Sequence, residues 1–432
     1  MNKAVLCLLL FAGSFGYSQN KLTLEEAVQL GLNNRFDIQI ARNQQKILDI
    51  NNNRGNAGFY PTISFQAGQN FTINNTRQEF FSGDVREGNN VNSNALIGSV
   101  SLDWTVFDGM NMFIQKDRLE KEASRGLEMY QLQVETAILE IRQAFLDIQE
   151  LKERADVIRQ SINVTAERKE LMQTRYSIGT ISAQALLQAQ VDINADSLQL
   201  EQVLLDLTNA KIRLNETLNR TPETDFDIEP VSLETSLYAY DDLLASMMTK
   251  NRNISLARLN EQLASLQVRA ANSQKLPSIS LGSAYNLNRS EAEIGILRFN
   301  RNNGFTYGIT ARWNLFNGFR VKNQVQTARV MTENTVLEKQ QLEISLKTNL
   351  YLTLENMKSL QNIVRLTRDN IRVAEENIKI SMDKLAIGSL TPIELRTAQL
   401  DLIDVTFQEV IQKYRLKRME WELLFLTGDL KG

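Results

Sequence analysis

The sequence contains no histidine, and Cys7 is its only cysteine. These absences exclude a His-based catalytic triad and a His/Cys metal site, and beyond Cys7 they exclude a thiol nucleophile and a disulfide. The sequence also shows no motif for carboxylate or Ser-Lys catalysis. We therefore expect a protein that is not an enzyme, with no catalytic residue, no metal and no cofactor.

Charge of one sign and long apolar runs are scarce as well. The formal net charge is −3 and no basic block stands out, so we expect no nucleic-acid partner.

Residues 1–18 predict a secretory signal peptide, with Lys3, an apolar run over 4–12 and small residues before a cut at Gln19. Beyond it, no apolar stretch reaches the roughly 18 residues of a membrane helix. We expect the exported chain to stay in the periplasm, leave the cell, or enter the outer membrane as a closed barrel.

The chain is an internal tandem repeat. Trp104-Thr-Val-Phe-Asp-Gly109 resembles Trp313-Asn-Leu-Phe-Asn-Gly318, an offset of 209 (313 − 104). Ile178-Gly179-Thr180 and Ile387-Gly388-Ser389 share that offset, whereas Pro61 and Pro277 differ by 216 (277 − 61) because an intervening loop differs in length. The sequence predicts a first repeat over 19–220, a linker over 221–239 and a second repeat over 240–432.

Each repeat contains two segments in which apolar and polar residues alternate. They predict strands at about 61–75 and 95–107, and at about 277–289 and 303–316. One face suits lipid and the other suits water, although a soluble sandwich with one buried face gives the same pattern. The polar stretches 74–94 and 289–303 are expected to be exposed loops. Because four strands cannot close a barrel, membrane strands would have to close it together with other copies: two chains in total give 8 strands and three give 12.

Very long helices follow the strands. They are predicted at about 110–178 and 319–387, and within these ranges Gly126 is the only glycine or proline. Shorter return helices are predicted at about 182–218 and 391–427, and a moderate helix opens each repeat near 23–55 and 240–273. Apolar residues recur at spacings of three and four, which indicates a coiled-coil seam. A fibrous coiled coil shares this pattern but gives no reason for paired amphipathic strands.

Each long helix ends at an Ile-Gly pair, where glycine adopts the left-handed conformation of a helix C-terminus. Ser182 and Thr391 are candidate N-caps of the return helices, and Pro392 suits a first helical position. Gly179 and Gly388 therefore mark the tips of two helical hairpins, which we expect to lie together.

With these features the chain resembles the TolC-like outer-membrane efflux family over nearly all of its predicted mature length. The resemblance is carried by the tandem repeat, by the Trp-x-x-Phe-[Asp/Asn]-Gly motifs and by the two tips with Ala189-Gln190 and Ala398-Gln399. It implies a mainly α fold with a membrane β part, in which long antiparallel coiled-coil helices form an α-barrel. Four strands per chain would contribute to a 12-stranded β-barrel in a homotrimer. It also implies outer-membrane lipid around the barrel, helices in the periplasm, a periplasmic adaptor protein as partner and, indirectly, an inner-membrane pump.

The same resemblance assigns roles to individual residues. It implies an acidic periplasmic gate at Glu394, with Thr397 three residues further on, where a second acid often occurs in the family, and Gln188 at the equivalent position of the first repeat. The alternative for Glu394 is a solvated first-turn carboxylate that the helix dipole favours. Contact with the adaptor is implied for the two tips: Gly179, Thr180, Ile181, Gly388, Ser389 and Leu390. Four aromatic residues are expected at the membrane interface: Trp104, Phe107, Trp313 and Phe316.

The sequence thus favours an outer-membrane channel subunit that serves as a passive duct in tripartite efflux or type I secretion. Two alternatives remain at this point. One is a coiled-coil structural or adhesive protein of the cell surface, and the other is a passive porin.

Overall fold

The computed structural model describes residues 21–430, so the predicted signal peptide lies outside the described residues. These residues divide into two compact units. The helical unit comprises 21–40, 132–251 and 345–430, and the sheet unit comprises 41–131 and 252–344. Each repeat contributes to both units.

The sheet unit contains a four-stranded antiparallel sheet. Its strands are β1 (Thr62–Glu79), β2 (Val85–Phe107), β3 (Ser278–Ala292) and β4 (Phe299–Arg312), in the order β1-β2-β3-β4. The two hairpins share one register, because Ile63 opposite Leu102 is matched by Ile279 opposite Ala311 at the offsets of 216 and 209 found in the sequence. The register confirms the internal repeat.

The strands extend well into the polar stretches that we expected to be loops. Only residues 80–84 and 293–298 separate the paired strands. Polar cross-strand contacts hold the extensions, since Gln69 donates to Asn94 at 3.1 Å and Arg77 pairs with Glu87 at 3.2 Å. A ladder is stabilised by its backbone and by cross-strand pairs, so it continues where no apolar face remains. At the other end β4 stops at Arg312, before Trp313.

The helix that opens each repeat is interrupted at one residue. In the first repeat α1 (Leu24–Asn34) and α2 (Phe36–Asn51) are separated by Arg35, and in the second α5 (Tyr240–Lys250) and α6 (Arg252–Ser273) are separated by Asn251. Both residues are extended, with φ, ψ of −63°, 127° and −62°, 125°. Asn251 donates to the Leu426 carbonyl at 2.8 Å, and Arg35 donates to Asp37 and Glu140, so tertiary contacts hold both breaks.

The long helices are α3 (Asn111–Ser177) and α7 (Arg320–Ala386), each of 67 residues, and the return helices are α4 (Ala183–Thr217) and α8 (Pro392–Thr427). Gly126 inside α3 lets α2 approach closely, because a Cβ there would lie 2.6 Å from Cδ1 of Leu48. None of the helices among residues 21–430 has the length and apolar character that a membrane crossing requires.

The main core of the helical unit lies along the predicted seam of α3. Phe145 is completely buried and packs in one cluster with Tyr414 and Trp421 of α8 and with Ile228 of the linker. The Tyr414 hydroxyl donates to Glu153 at 2.9 Å, and burial raises its pKa above the usual value. The observed architecture confirms the predicted fold class: mainly helical, with four antiparallel strands and a tandem repeat.

Candidate functional site

One face of the sheet is apolar and exposed. Side chains that alternate along the strands align in rows across the register. Phe65, Val100, Tyr285 and Phe305 form one such row, and every one of them is exposed to a third of its surface or more. Neighbouring rows add Ile63, Leu102, Tyr307, Trp104, Leu281 and Ile309. We call this surface the apolar face; its size and exposure are typical of an interaction with lipid or protein.

The opposite face, here called the polar face, carries small or uncharged polar side chains. Ser64 and Ser101 share a hydrogen bond of 2.8 Å across β1 and β2, and Asn286 donates to Thr306 at 3.4 Å across β3 and β4. The exceptions are Asp103 opposite Gly282, Arg312 opposite Ser278, and the apolar Ile97 opposite Gly68. A sheet with one apolar and one polar surface, both solvent-accessible in a single chain, has the pattern of a membrane-barrel wall.

The sheet also has two unpaired edges within the described chain. β1 pairs only with β2, and β4 pairs only with β3. Long edge strands with free N–H and C=O groups are ready to pair with another strand. Both edges are therefore available to pair with a strand of another chain.

The two motif tryptophans make the same contact in both repeats. The Trp104 indole N–H donates to the Phe59 carbonyl at 3.0 Å, and Trp313 donates to the Lys275 carbonyl at 3.0 Å. In each case the acceptor lies two residues before the proline that precedes a strand. Each indole thus ties the end of one strand to the start of its neighbour, with the ring left partly exposed.

The four predicted interface aromatics lie close to these ties. Trp313 and Phe316 are largely exposed, Trp104 is about one-third exposed, and Phe107 is partly buried. Phe316 packs edge-on against Phe319 with ring centroids 5.5 Å apart. A tryptophan whose indole N–H is hydrogen-bonded and whose ring is partly exposed suits the boundary between lipid and water, and so does an exposed phenylalanine beside it.

The helical hairpin tips are closed by identical turns. Gly179 and Gly388 have φ of +75° and +78°, in the left-handed region where glycine is favoured. At the first tip Gly179 N–H donates to Tyr176 at 2.9 Å and Thr180 N–H donates to Arg175 at 2.9 Å. The second tip repeats both bonds, from Gly388 to Leu385 and from Ser389 to Lys384. These bonds satisfy the last carbonyls of α3 and α7 and fix both turns.

The two tips lie together, as the sequence predicted. Arg175 of the first tip donates to the Leu385 and Ala386 carbonyls at 2.8 and 2.9 Å, where α7 ends. Met172, Ala189, Leu385 and Leu395 form a small core beneath the tips, and Ile181, Leu186 and Leu390 pack against it. Of the six predicted tip residues, Ile181 and Leu390 are therefore partly buried, and the other four are exposed.

The predicted gate residues lie in the first two turns of the return helices. Glu394 forms a capping box with Thr391, accepting from its N–H at 2.8 Å and its hydroxyl at 2.7 Å. The backbone hydrogen bond from Thr391, followed by the hydroxyl bond, lowers the pKa of Glu394 below its usual value. Thr397 donates to the Ile393 carbonyl at 3.2 Å, and Gln188 donates to Asp192 at 3.0 Å. All three side chains are exposed in the single chain.

A buried ionic cluster near the tips was not predicted from the sequence. Arg396 of α8 binds Asp196 of α4 through two hydrogen bonds of 2.6 and 3.1 Å, and Thr165 of α3 donates to the same carboxylate at 2.9 Å. Arg168 pairs with Asp192, also in the interior. These charges sit among many others on long helices, so no local signal marks the ones that are buried.

Two exposed apolar stripes on the helices were also not predicted from the sequence. The α4 stripe consists of residues spaced seven apart: Val191, Leu198, Leu205 and Ile212. The α7 stripe has the same spacing and ends one residue beyond the helix: Leu366, Val373, Ile380 and Ile387. All eight side chains lie in the helical unit and are exposed to two-fifths of their surface or more. Apolar residues spaced seven apart are typical of one position of a helix–helix seam, and within residues 21–430 these side chains are left exposed.

Comparison with known proteins identifies the family. The family model described as "Outer membrane efflux protein" matches residues 27–220 and 243–429. Outer membrane protein TolC of Escherichia coli K12 is 22% identical over 371 residues, covering 82% of this chain and 72% of TolC. TolC of Salmonella enteritidis is 22% identical over 370 residues, covering 81% of this chain and 72% of that protein.

Solved channels have the same fold. VceC of Vibrio cholerae aligns with a TM-score of 0.77 at 15% identity, covering 94% of this chain and 96% of VceC. MtrE of Neisseria gonorrhoeae, solved in an open state, aligns with a TM-score of 0.73 at 14% identity, covering 94% and 89%. These matches confirm the predicted resemblance and the predicted location. The chain belongs to the outer membrane efflux protein family, whose members are outer-membrane channel proteins with a helical part in the periplasm.

Proposed function

We propose that three copies of this chain form one passive duct, which carries substrates from a periplasmic adaptor and an inner-membrane pump to the exterior. Their strands would close a 12-stranded barrel and their helices a 12-helix tunnel. The pump would supply the energy, as part of a tripartite efflux or type I secretion system.

The two-faced sheet with two free edges carries this proposal. Four strands are too few for a closed barrel, and an open edge in lipid leaves backbone groups without hydrogen bonds. Pairing β4 of one copy with β1 of the next removes every edge when the ring closes. The apolar face then contacts lipid, and the polar face with Asp103 lines the lumen.

The helical unit supports the same assembly. The α4 stripe and the α7 stripe are exposed along their length within residues 21–430. In a ring of copies, each stripe can pack against a helix of a neighbouring copy. A cell-surface fibre would use such seams as well, but it gives no role to a sheet with a lipid-like face.

We propose that the two tips contact the adaptor through Gly179, Thr180 and Ile181 and through Gly388, Ser389 and Leu390. The turns are rigid, since the Thr180 and Ser389 hydroxyls donate back to Arg175 and Lys384 at 2.9 and 3.2 Å. Ile181 and Leu390 also pack into the tip core, so part of their role is to hold the turns in place.

For the gate we propose Glu394, with Thr397 and Gln188 as uncharged neighbours. Three copies of Glu394 around a symmetry axis would repel one another and favour cations. Its capping box restrains the carboxylate near the start of α8. With Thr397 and Gln188 uncharged, this gate holds fewer charges than a double acidic ring.

The duct is tested with the purified full chain and with a deletion strain. Native mass spectrometry in detergent should give a trimer, and planar bilayers should show discrete ion conductance. Deletion should raise sensitivity to toxic compounds, with recovery on expression from a plasmid. A monomer that is soluble without detergent would refute the proposal. A trimer that conducts constantly, and whose loss leaves sensitivity unchanged, would identify a porin instead.

A further inference from the structure

Two arginines lie side by side on the apolar face near the hairpin turns. Arg289 of β3 and Arg301 of β4 are direct register partners. Side chains directly opposite in an antiparallel pair have Cβ atoms about 4.5–5.5 Å apart, and like charges at such positions are unfavourable. A negative charge between or beside the two guanidinium groups would therefore offset their repulsion.

The chain supplies this charge to only one of them. Arg289 binds Glu291 at 2.6 Å and lies over the Phe299 ring, 5.4 Å from its centroid. Arg301 has no ion pair or side-chain hydrogen bond within residues 21–430. By contrast, Arg77 on the neighbouring hairpin is paired with Glu87. Arg301 is thus an exposed cation with unused donors.

The position of the pair matches the outer edge of a lipid band. From the row of Trp104, Leu281 and Ile309 to the pair, the strands advance by eight residues, or about 27 Å. At the usual tilt of membrane strands this is about 20 Å in height, close to the roughly 25 Å apolar band of such barrels. The side chains of the apolar face in this interval carry no formal charge.

The direction along the strands is fixed by the chain. β2 and β4 lead into α3 and α7, and the helical part of this family is periplasmic. The hairpin turns, and with them Arg289 and Arg301, therefore belong to the outer-leaflet side. Phe71 and Phe299 lie one row further out, as expected of an aromatic girdle.

We propose that Arg289 and Arg301 bind a phosphate group of a phosphorylated glycolipid in the outer leaflet. Guanidinium groups are planar forks that match phosphate oxygens, and two of them can share one phosphate. The acyl chains would lie against the apolar rows below, among them Tyr285 and Phe305. This inference goes beyond the duct function and rests on the outer-membrane location and on the proposed contact of the apolar face with lipid.

The test uses the purified full chain, stripped of lipid in detergent, and native mass spectrometry with three probes: diphosphoryl lipid A, the same lipid without phosphates, and inorganic phosphate. The test variant is Arg289→Gln with Arg301→Gln. The matched control is Arg312→Gln, on the same strand but at its other end. Wild type and control should retain diphosphoryl lipid A, the double variant should bind it at least about tenfold more weakly, and the dephosphorylated lipid should not distinguish the three.

Equal affinity of wild type and double variant for diphosphoryl lipid A would overturn the proposal, as would equal affinity of wild type for the two lipids. Inorganic phosphate at millimolar concentration is the third probe, because it carries the same anionic group without acyl chains. If it displaces lipid A from the wild type, the site belongs to free phosphate and the lipid assignment is wrong. The double variant should keep wild-type conductance and drug resistance, so a failure here is distinguishable from a failure of the duct.

Discussion

The α4 stripe offers a direct way to test assembly without disturbing the fold of one chain. Leu198 is 73% exposed and Leu205 is 54% exposed, so neither contributes much to the core of the chain. Complete burial of a leucine side chain is worth about 1.5–3 kcal/mol. Scaled by the two exposed fractions, loss of both side chains should weaken each interface by about 2–4 kcal/mol.

A closed trimer contains three such interfaces, so the double variant Leu198→Gln, Leu205→Gln should lose most of its trimer in detergent. Size-exclusion chromatography with light scattering should report a shift to monomer at concentrations where wild type is trimeric. Circular dichroism should show unchanged helix content. The matched control is Gln199→Ala, an exposed position on the same helix next to Leu198 in sequence and therefore turned about 100° away from the stripe, which should remain trimeric.

The reasoning fails if the double variant stays trimeric and dissociates at the same temperature as wild type. That result would mean that the α4 stripe faces something other than a second copy. A loss of helix content before dissociation would also contradict it, because the stripe would then be needed within the chain.

Three further predictions concern the core, a tip and the gate. Phe145→Ala removes a completely buried ring from the main core and should lower the free energy of unfolding by about 3–5 kcal/mol in chemical denaturation. Phe316→Ala, at an exposed position, is the control, and an equal effect of the two substitutions would contradict the assigned core. Gly388→Ala places a Cβ on a residue with φ of +78°, and no other atom lies within 4 Å of that Cβ, so backbone strain alone should destabilise the tip by about 1–2 kcal/mol. Amide hydrogen exchange in the last turn of α7 should become faster, and unchanged exchange would refute the prediction. Glu394→Gln should reduce cation selectivity in bilayers, and unchanged selectivity would refute a gate role. In the single chain the hydrogen bonds from Thr391 lower the pKa of Glu394, so its charge and its capping contribution are lost only as pH falls through the lowered value. Repulsion in a ring of three carboxylates would raise the pKa instead, so a loss of wild-type selectivity between about pH 7 and pH 5 would indicate the ring, and constant selectivity would indicate isolated capping carboxylates.

Patterns along the chain were enough to predict the architecture. Period-two alternation identified the strands around Trp104 and Trp313, and helical periodicity without glycine or proline identified α3 and α7. The repeat offsets predicted equivalent positions that the structure shows to make the same hydrogen bonds, including those of the two indoles. Periodicity is a local pattern and the repeat offsets are a repeated one, and both can be read from a single sequence.

The remaining features depend on contacts between distant residues. Arg35 and Asn251 interrupt their helices without glycine or proline, because side-chain bonds to other elements hold them extended. The strand extensions beyond Asn74 follow from ladder pairing, which hydrophobic patterning does not report. Likewise, nothing near Asp196 in sequence shows that its charge is buried against Arg396, since the partner lies 200 residues away.

The repeated hairpin register has a consequence for how copies would join. The contact between β2 and β3 already joins the first repeat to the second inside one chain, so in the proposed trimer β4 and the next copy's β1 would join the second repeat to the first. At the offsets of the repeat, Ser101 opposite Ala284 corresponds to Thr310 opposite Gly68 of the neighbour. The barrel would then contain six equivalent hairpins, although it consists of only three chains. The β2–β3 pairing inside each chain would show the geometry of the β4–β1 pairing between chains.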